Sequence, residues 1–112
     1  MIVLITGGRD RKDEETIHSI LELFPIKELV VGDARGVDKI ALEWARTRPI
    51  VWHKHFAHWG RDGKAAGPKR NARMLAEHKV DLVIAFPSST SIGTWDMVDR
   101  ARWAKVPRII VR

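Results

Sequence analysis

Apolar residues run along this chain in two alternating rhythms. Residues 2–5, 29–31, 50–52, 82–86 and 109–111 are short, mostly β-branched runs, the pattern of strands buried on both faces. Between them, Ile17, Ile20, Leu21 and Phe24 recur at helical spacing, as do Val37, Ile40, Ala41, Trp44 and Ala45, each set making one apolar stripe. Asp13 is placed to cap the first helix, Glu14 and Glu15 suit the positive end of its dipole, and Pro25 stops it. A third helix is expected to start at Pro68 and run through Met74 and Leu75 to about His78. A fourth runs from near Thr94 through Met97, Val98 and Ala101 until Pro107 ends it. Strands alternating with helices imply right-handed crossovers. The expected fold is α/β, a Rossmann-like three-layer sandwich whose five-stranded parallel sheet carries helices on both faces.

The chain has 112 residues, of which 45% are hydrophobic, enough for one core and one domain spanning residues 1–112. Its formal charge of +6 favours anionic partners, whether phosphate ligands, nucleic acid or acidic surfaces. With no cysteine, disulfides and thiolate metal sites are excluded. A strand beginning at Ile2 leaves no room for a secretory leader, and no apolar stretch approaches the roughly 20 residues of a membrane span. A cytoplasmic protein without a membrane partner is expected.

In an open parallel sheet the chemistry gathers at the carboxyl edge of the strands, where loops open into helices. Thr6-Gly7-Gly8-Arg9-Asp10 is the first such loop. Its glycines let backbone N–H groups approach an anion and Arg9 adds a charge-assisted contact. It is neither a dinucleotide fingerprint nor a Walker loop. In the second loop Gly32 and Gly36 bracket Asp33 and Arg35. A carboxylate there is placed to accept from ribose hydroxyls, although Asp38 serves equally well as a helix cap. Residues 59–71 hold too many glycines and charges for a core element and are expected to form a surface loop, ending at a helix start with Arg70 and Asn71 beside free N–H groups. Arg61, Lys64 and Lys69 read as solvated. The last loop, 87–94, ends in Gly93-Thr94 at a helix start, a second seat for an anionic group.

Taken in order, Thr6-Gly7-Gly8-Arg9-Asp10, the segment from Gly32 to Asp38, Gly67-Pro68-Lys69-Arg70-Asn71-Ala72-Arg73-Met74, Ala85-Phe86-Pro87, and Gly93-Thr94 with Asp96-Met97-Val98 resemble the YspA-like family of the SLOG superfamily, over essentially the whole chain. The resemblance implies a Rossmann-like domain that binds nucleotides or nucleotide-derived ligands, of a kind discussed as sensors or processors in bacterial and phage conflict. A related branch, the LOG phosphoribohydrolases, cleaves the N-glycosidic bond of nucleoside monophosphates with an arginine on the third helix and a glutamate after a Gly-Thr pair. Arg70 matches that arginine. Met97 stands at the glutamate's position, with Asp96 one residue earlier, about 100° away around a helix. A shorter, misaimed carboxylate is a poor stabiliser of an oxocarbenium-like transition state.

Three functions follow in order of preference. The first is binding of a nucleotide-like small molecule as sensor, carrier or sequestering domain, with no cofactor. Gly7, Gly8 and Arg9 would hold one anionic group, Arg70 and Asn71 the phosphate, Gly93 and Thr94 the far side and Asp33 the sugar hydroxyls, with Arg35 also counted among the ligand-binding residues. The second is a nucleotide hydrolase drawing its catalytic groups from Arg70, Asp33, Asp38 and Asp96. The third is single-stranded nucleic-acid binding, as in the superfamily member DprA. Among the five tryptophans, Trp44 reads as core, Trp59 and Trp95 flank the cleft where a base would stack, and Trp103 suits a contact between subunits of a homo-oligomer. His53, His55 and His58 lie close in sequence, yet no cysteine or neighbouring carboxylate completes a set, and no metal is expected.

Overall fold

The computed structural model describes residues 1–112. Five strands, β1 (Ile2–Gly7), β2 (Glu28–Gly32), β3 (Val51–His55), β4 (Leu82–Phe86) and β5 (Arg108–Ile110), form one sheet in the order β3-β2-β1-β4-β5 with every neighbouring pair parallel. Five helices connect them: α1 (Glu14–Leu21), α2 (Val37–Arg46), α3 (Trp59–Asp62), α4 (Ala66–Glu77) and α5 (Ile92–Trp103), with a 3₁₀ turn (Gly63–Ala65) between α3 and α4. The expected three-layer α/β sandwich is what the chain forms.

Strand parity builds the layers. Val3, Ile5, Leu29, Val31 and Ile84 point to one side and pack with Ile17 and Leu21 of α1 and Val37, Ala41 and Trp44 of α2. Leu4, Val30 and Val83 point to the other, against Met74 of α4 and Met97 and Ala101 of α5. The strand order leaves β1 and β4 side by side although chain connections depart from them in opposite directions. Ligands bind outside the carboxyl ends of strands at such a reversal. No helix is long and apolar enough to cross a membrane.

Four expectations change. The outer strands are not buried on both faces, since Val51 is 58% exposed and Trp52 is 40% exposed, and all of β5 is exposed. An outer strand has only one neighbour, and no helix covers these two fully. Residues 59–71 form no open loop but α3, the 3₁₀ turn and the first part of α4. Asp62 accepts from both Arg61, at 3.1 Å, and Lys69, at 3.3 Å, stapling the short α3 onto α4. The third long helix therefore starts at Ala66 rather than Pro68, whose missing N–H costs nothing in a first turn. Finally, Asp13 stands at the start of α1 but its carboxylate makes no cap bond, because Arg11 Nε takes it at 2.9 Å.

Candidate functional site

The carboxyl edge brings together the loops after β1 and β2 and the start of α4. Arg9, Asp33, Ala34, Arg35, Trp59 and Arg70 line a pocket of about 240 Å³. Its floor is an ion pair: Arg70 Nη1 donates to Asp33 Oδ1 at 2.8 Å, with both side chains largely removed from solvent. Asp33 Oδ1 also accepts from the Ala57 N–H at 3.4 Å. Beneath this pair lies Asp38, buried in the first turn of α2, where Oδ2 accepts from the Ala34 N–H at 3.1 Å. Burial pushes the Asp38 carboxyl up to about 7, and the Arg70 guanidinium and the Ala34 N–H pull it back only in part.

Glycines make this crowding possible. A Cβ on Gly32 would clash with both Arg70 Nη1, at 2.5 Å, and Asp38 Oδ2, at 2.8 Å, so the two charged groups meet over a residue without a side chain. Gly36 turns the chain into α2 at φ +76° and ψ −126°, and a Cβ there would strike the backbone of Gly8 and Arg9. Replacing Gly36 with Ala is expected to destabilise the fold by at least about 1–3 kcal/mol, read as a fall in the denaturant midpoint at unchanged slope. An unshifted midpoint would show that the loop relaxes freely.

At the mouth stand two guanidiniums without ion-pair partners. Arg9 and Arg35 are exposed, and neither takes part in a salt bridge. Arg9 lies over the Trp59 ring, 5.6 Å from its centroid, and Trp59 in turn rests against Gly67 at the start of α4. The pocket thus offers a paired, neutral floor, a cationic rim and one half-exposed indole face. A larger groove of about 570 Å³ continues on the other side of Arg9 and Arg35. It mixes Lys12 and Lys39 with Asp10, Glu14 and Glu43 and has no aromatic wall.

Other sequence-selected residues lie apart from this pocket. The Gly8 N–H donates to the Phe86 carbonyl at 3.0 Å, and Gly7 is held against the Val37 side chain. Asn71 adjoins the floor, accepting from Arg70 Nε at 3.2 Å. Its Nδ2 donates to the Gly93 carbonyl at 3.1 Å and to Asp96 Oδ2 at 3.0 Å. Asp96 is held further by Arg100 at 2.8 Å, Thr94 is buried, and Met97 faces the core with no exposure at all. Along the last loop, a Ser88 hydrogen bond keeps the Asp10 carboxyl below its usual range, so an acid faces the hydroxyls read as an anion seat. Trp95 lies under Arg112. Sequence reasoning passed over Arg11, which ties the first loop to the carbonyls of Pro87 and Val111. Its flanking charges, Asp10 and Lys12, gave no sign of that role.

A family model described as the YspA, cpYpsA-related SLOG family matches residues 1–61. That stretch holds Arg9, Asp33, Arg35, Asp38 and Trp59, while Arg70 and Asn71 lie beyond it. The chain is also similar to Gene 61 protein of Mycobacterium phage D29, at 38% identity over 117 residues covering 96% of this chain and 93% of the phage protein.

Proposed function

From the premise that the chain belongs to the YspA, cpYpsA-related SLOG family, we propose that it binds a nucleotide or nucleotide-derived ligand at the carboxyl edge of the sheet, as a sensor, carrier or sequestering domain. The observation that carries this reading is the convergence of two unpaired arginines, Arg9 and Arg35, with the Trp59 face on one pocket. A phosphate bridges the two guanidiniums, the base replaces Arg9 on the indole, and Asp33 accepts from sugar hydroxyls while keeping its bond to Arg70. Each charge-assisted contact contributes roughly 1.5–3 kcal/mol, so Arg9→Ala and Arg35→Ala should each weaken nucleoside monophosphate binding by about tenfold or more. Calorimetric titration of both variants checks this, after mass spectrometry of small molecules released from gently purified protein has identified the base. Unchanged affinity in both variants would remove the reading. An affinity that grows with strand length and falls steeply with salt would mark single-stranded nucleic acid instead.

A second reading, nucleotide hydrolysis, draws on Asp38, a buried acid that titrates near neutrality beside Arg70. Met97, which the resemblance to LOG enzymes sets at their glutamate's position, is apolar and buried, so this reading takes its acid from Asp38. Product formation lost in Asp38→Asn with ligand binding retained supports hydrolysis; product formation unaffected by that change excludes Asp38 from it.

A further inference from the structure

Three of the five histidines meet on the face of β3 turned toward α4, two from the strand and the third from more than twenty positions later in the chain. His53 and His55 alternate along β3, and His78 follows the last residue of α4. The His55 and His78 Nε2 atoms are 2.8 Å apart, and the His53 ring lies 4.5 Å from the His78 ring, centroid to centroid. One donor atom from each of His55, Glu77 and His78 lies within 4.8 Å of the other two. The carboxylate missing from the sequence neighbourhood of these histidines is thus supplied by the last turn of α4, while His58 stands exposed elsewhere.

We propose that His55 and His78, with Glu77 beside them, form a site for a divalent late transition-metal ion. Two imidazole nitrogens bound to one ion at about 2.0–2.1 Å stand roughly 2.9 Å apart when they subtend a right angle and about 3.4 Å apart at a tetrahedral angle. The 2.8 Å between the rings is close to the right-angle spacing, so little movement is needed to seat copper(II) or nickel(II) in a square-planar or octahedral arrangement. Supporting carboxylates are in place. Glu77 Oε2 lies 3.7 Å from His55 Nδ1, suited either to ligate or to orient that ring, and Glu28 Oε1 holds His53 Nε2 at 2.9 Å. Without an ion, one Nε2 donates its proton to the other across this 2.8 Å, and an ion takes both nitrogens once that proton has moved to Nδ1 or left. An ion there would join β3, which pairs on one side only, to the end of α4.

Titration of tag-free protein at pH 7.5 with copper(II), nickel(II) and zinc(II) tests the site. The expected result is saturable 1:1 binding with copper tightest and a Kd on the order of 10 μM or below. His55→Ala and His78→Ala should each weaken it by about 10–100-fold, with His58→Ala unchanged. Because a variant can lose the fold, a second measurement uses the native sequence: substoichiometric copper(II) should broaden the imidazole proton resonances of His55 and His78 before those of His18 and His58. Binding weaker than about 1 mM, equal binding by the His55→Ala and His78→Ala variants, or broadening that begins at His18 or His58 would overturn the proposal.

Discussion

Replacing Arg70 with alanine is expected to destabilise the protein by about 3–5 kcal/mol, because it strips a mostly buried carboxylate of its cation. The Asp33 side chain is only 22% exposed and would keep just the long contact to the Ala57 N–H. The same change removes the guanidinium that eases the ionised form of Asp38, and it breaks the bond to Asn71 through which α4 is tied to α5. Urea unfolding should show a lower midpoint with an unchanged slope. Pairing Arg70→Met with Asp33→Asn should recover most of the loss, since an isosteric neutral pair leaves no orphaned charge. A single-variant loss under about 1 kcal/mol would mean that water reaches the pair and screens it. Arg70 is therefore a hazardous residue on which to read ligand binding, and Arg9 and Arg35, which take part in no salt bridge, are the better probes.

The second large effect concerns Asp38. Its carboxyl is raised from 3.8 to about 7 in the folded protein, so between those values the unfolded chain holds fewer protons than the folded one, and stability falls as pH rises through this window. About three pK units correspond to at most about 4 kcal/mol. Asp38→Asn keeps an acceptor for the Ala34 N–H and removes the titration. Variant and parent should be nearly equal in stability at pH 4, and by pH 8 the variant should be ahead by up to about 4 kcal/mol. Thermal unfolding across this range checks the sign. Parallel pH profiles for the two proteins would show that Asp38 ionises freely in the fold, and its candidacy as a general acid would go with that.

The central strands were legible because their burial is written in their own residues: residues 82–86 are apolar throughout, and β4 has no exposed position. Position within the sheet is a relation between strands. Nothing in the run 50–52 says that Val51 faces solvent, and the placement of β3 at one edge comes from the crossover that precedes it. Residues 59–71 were misread for a related reason, since their glycines and charges suggest a loop and the staple from Asp62 to Lys69 is visible only once the chain is folded. At the site, the types of residue were evident while the partnerships were not. Arg70 and Asp33 are 37 positions apart, and His78 meets His55 across 23. Asp38 carried a fainter sign, a carboxylate among the buried residues of α2, yet that position suits a helix cap equally well.

Gly7 against Val37 and Gly36 against the backbone of Gly8 and Arg9 leave the two rim loops locked together. Capture of an anion then requires no rearrangement of the loop backbone, only the swing of the Arg9 side chain off the indole, and encounter sets its speed. An approaching phosphate is drawn by a protein of net charge +6 toward two cations that have no internal anion to release, over a reach of about 10 Å at 0.1 M ionic strength. Association should accordingly be fast in dilute buffer and slow with added salt, while the dissociation rate, set by close contacts inside the pocket, hardly moves.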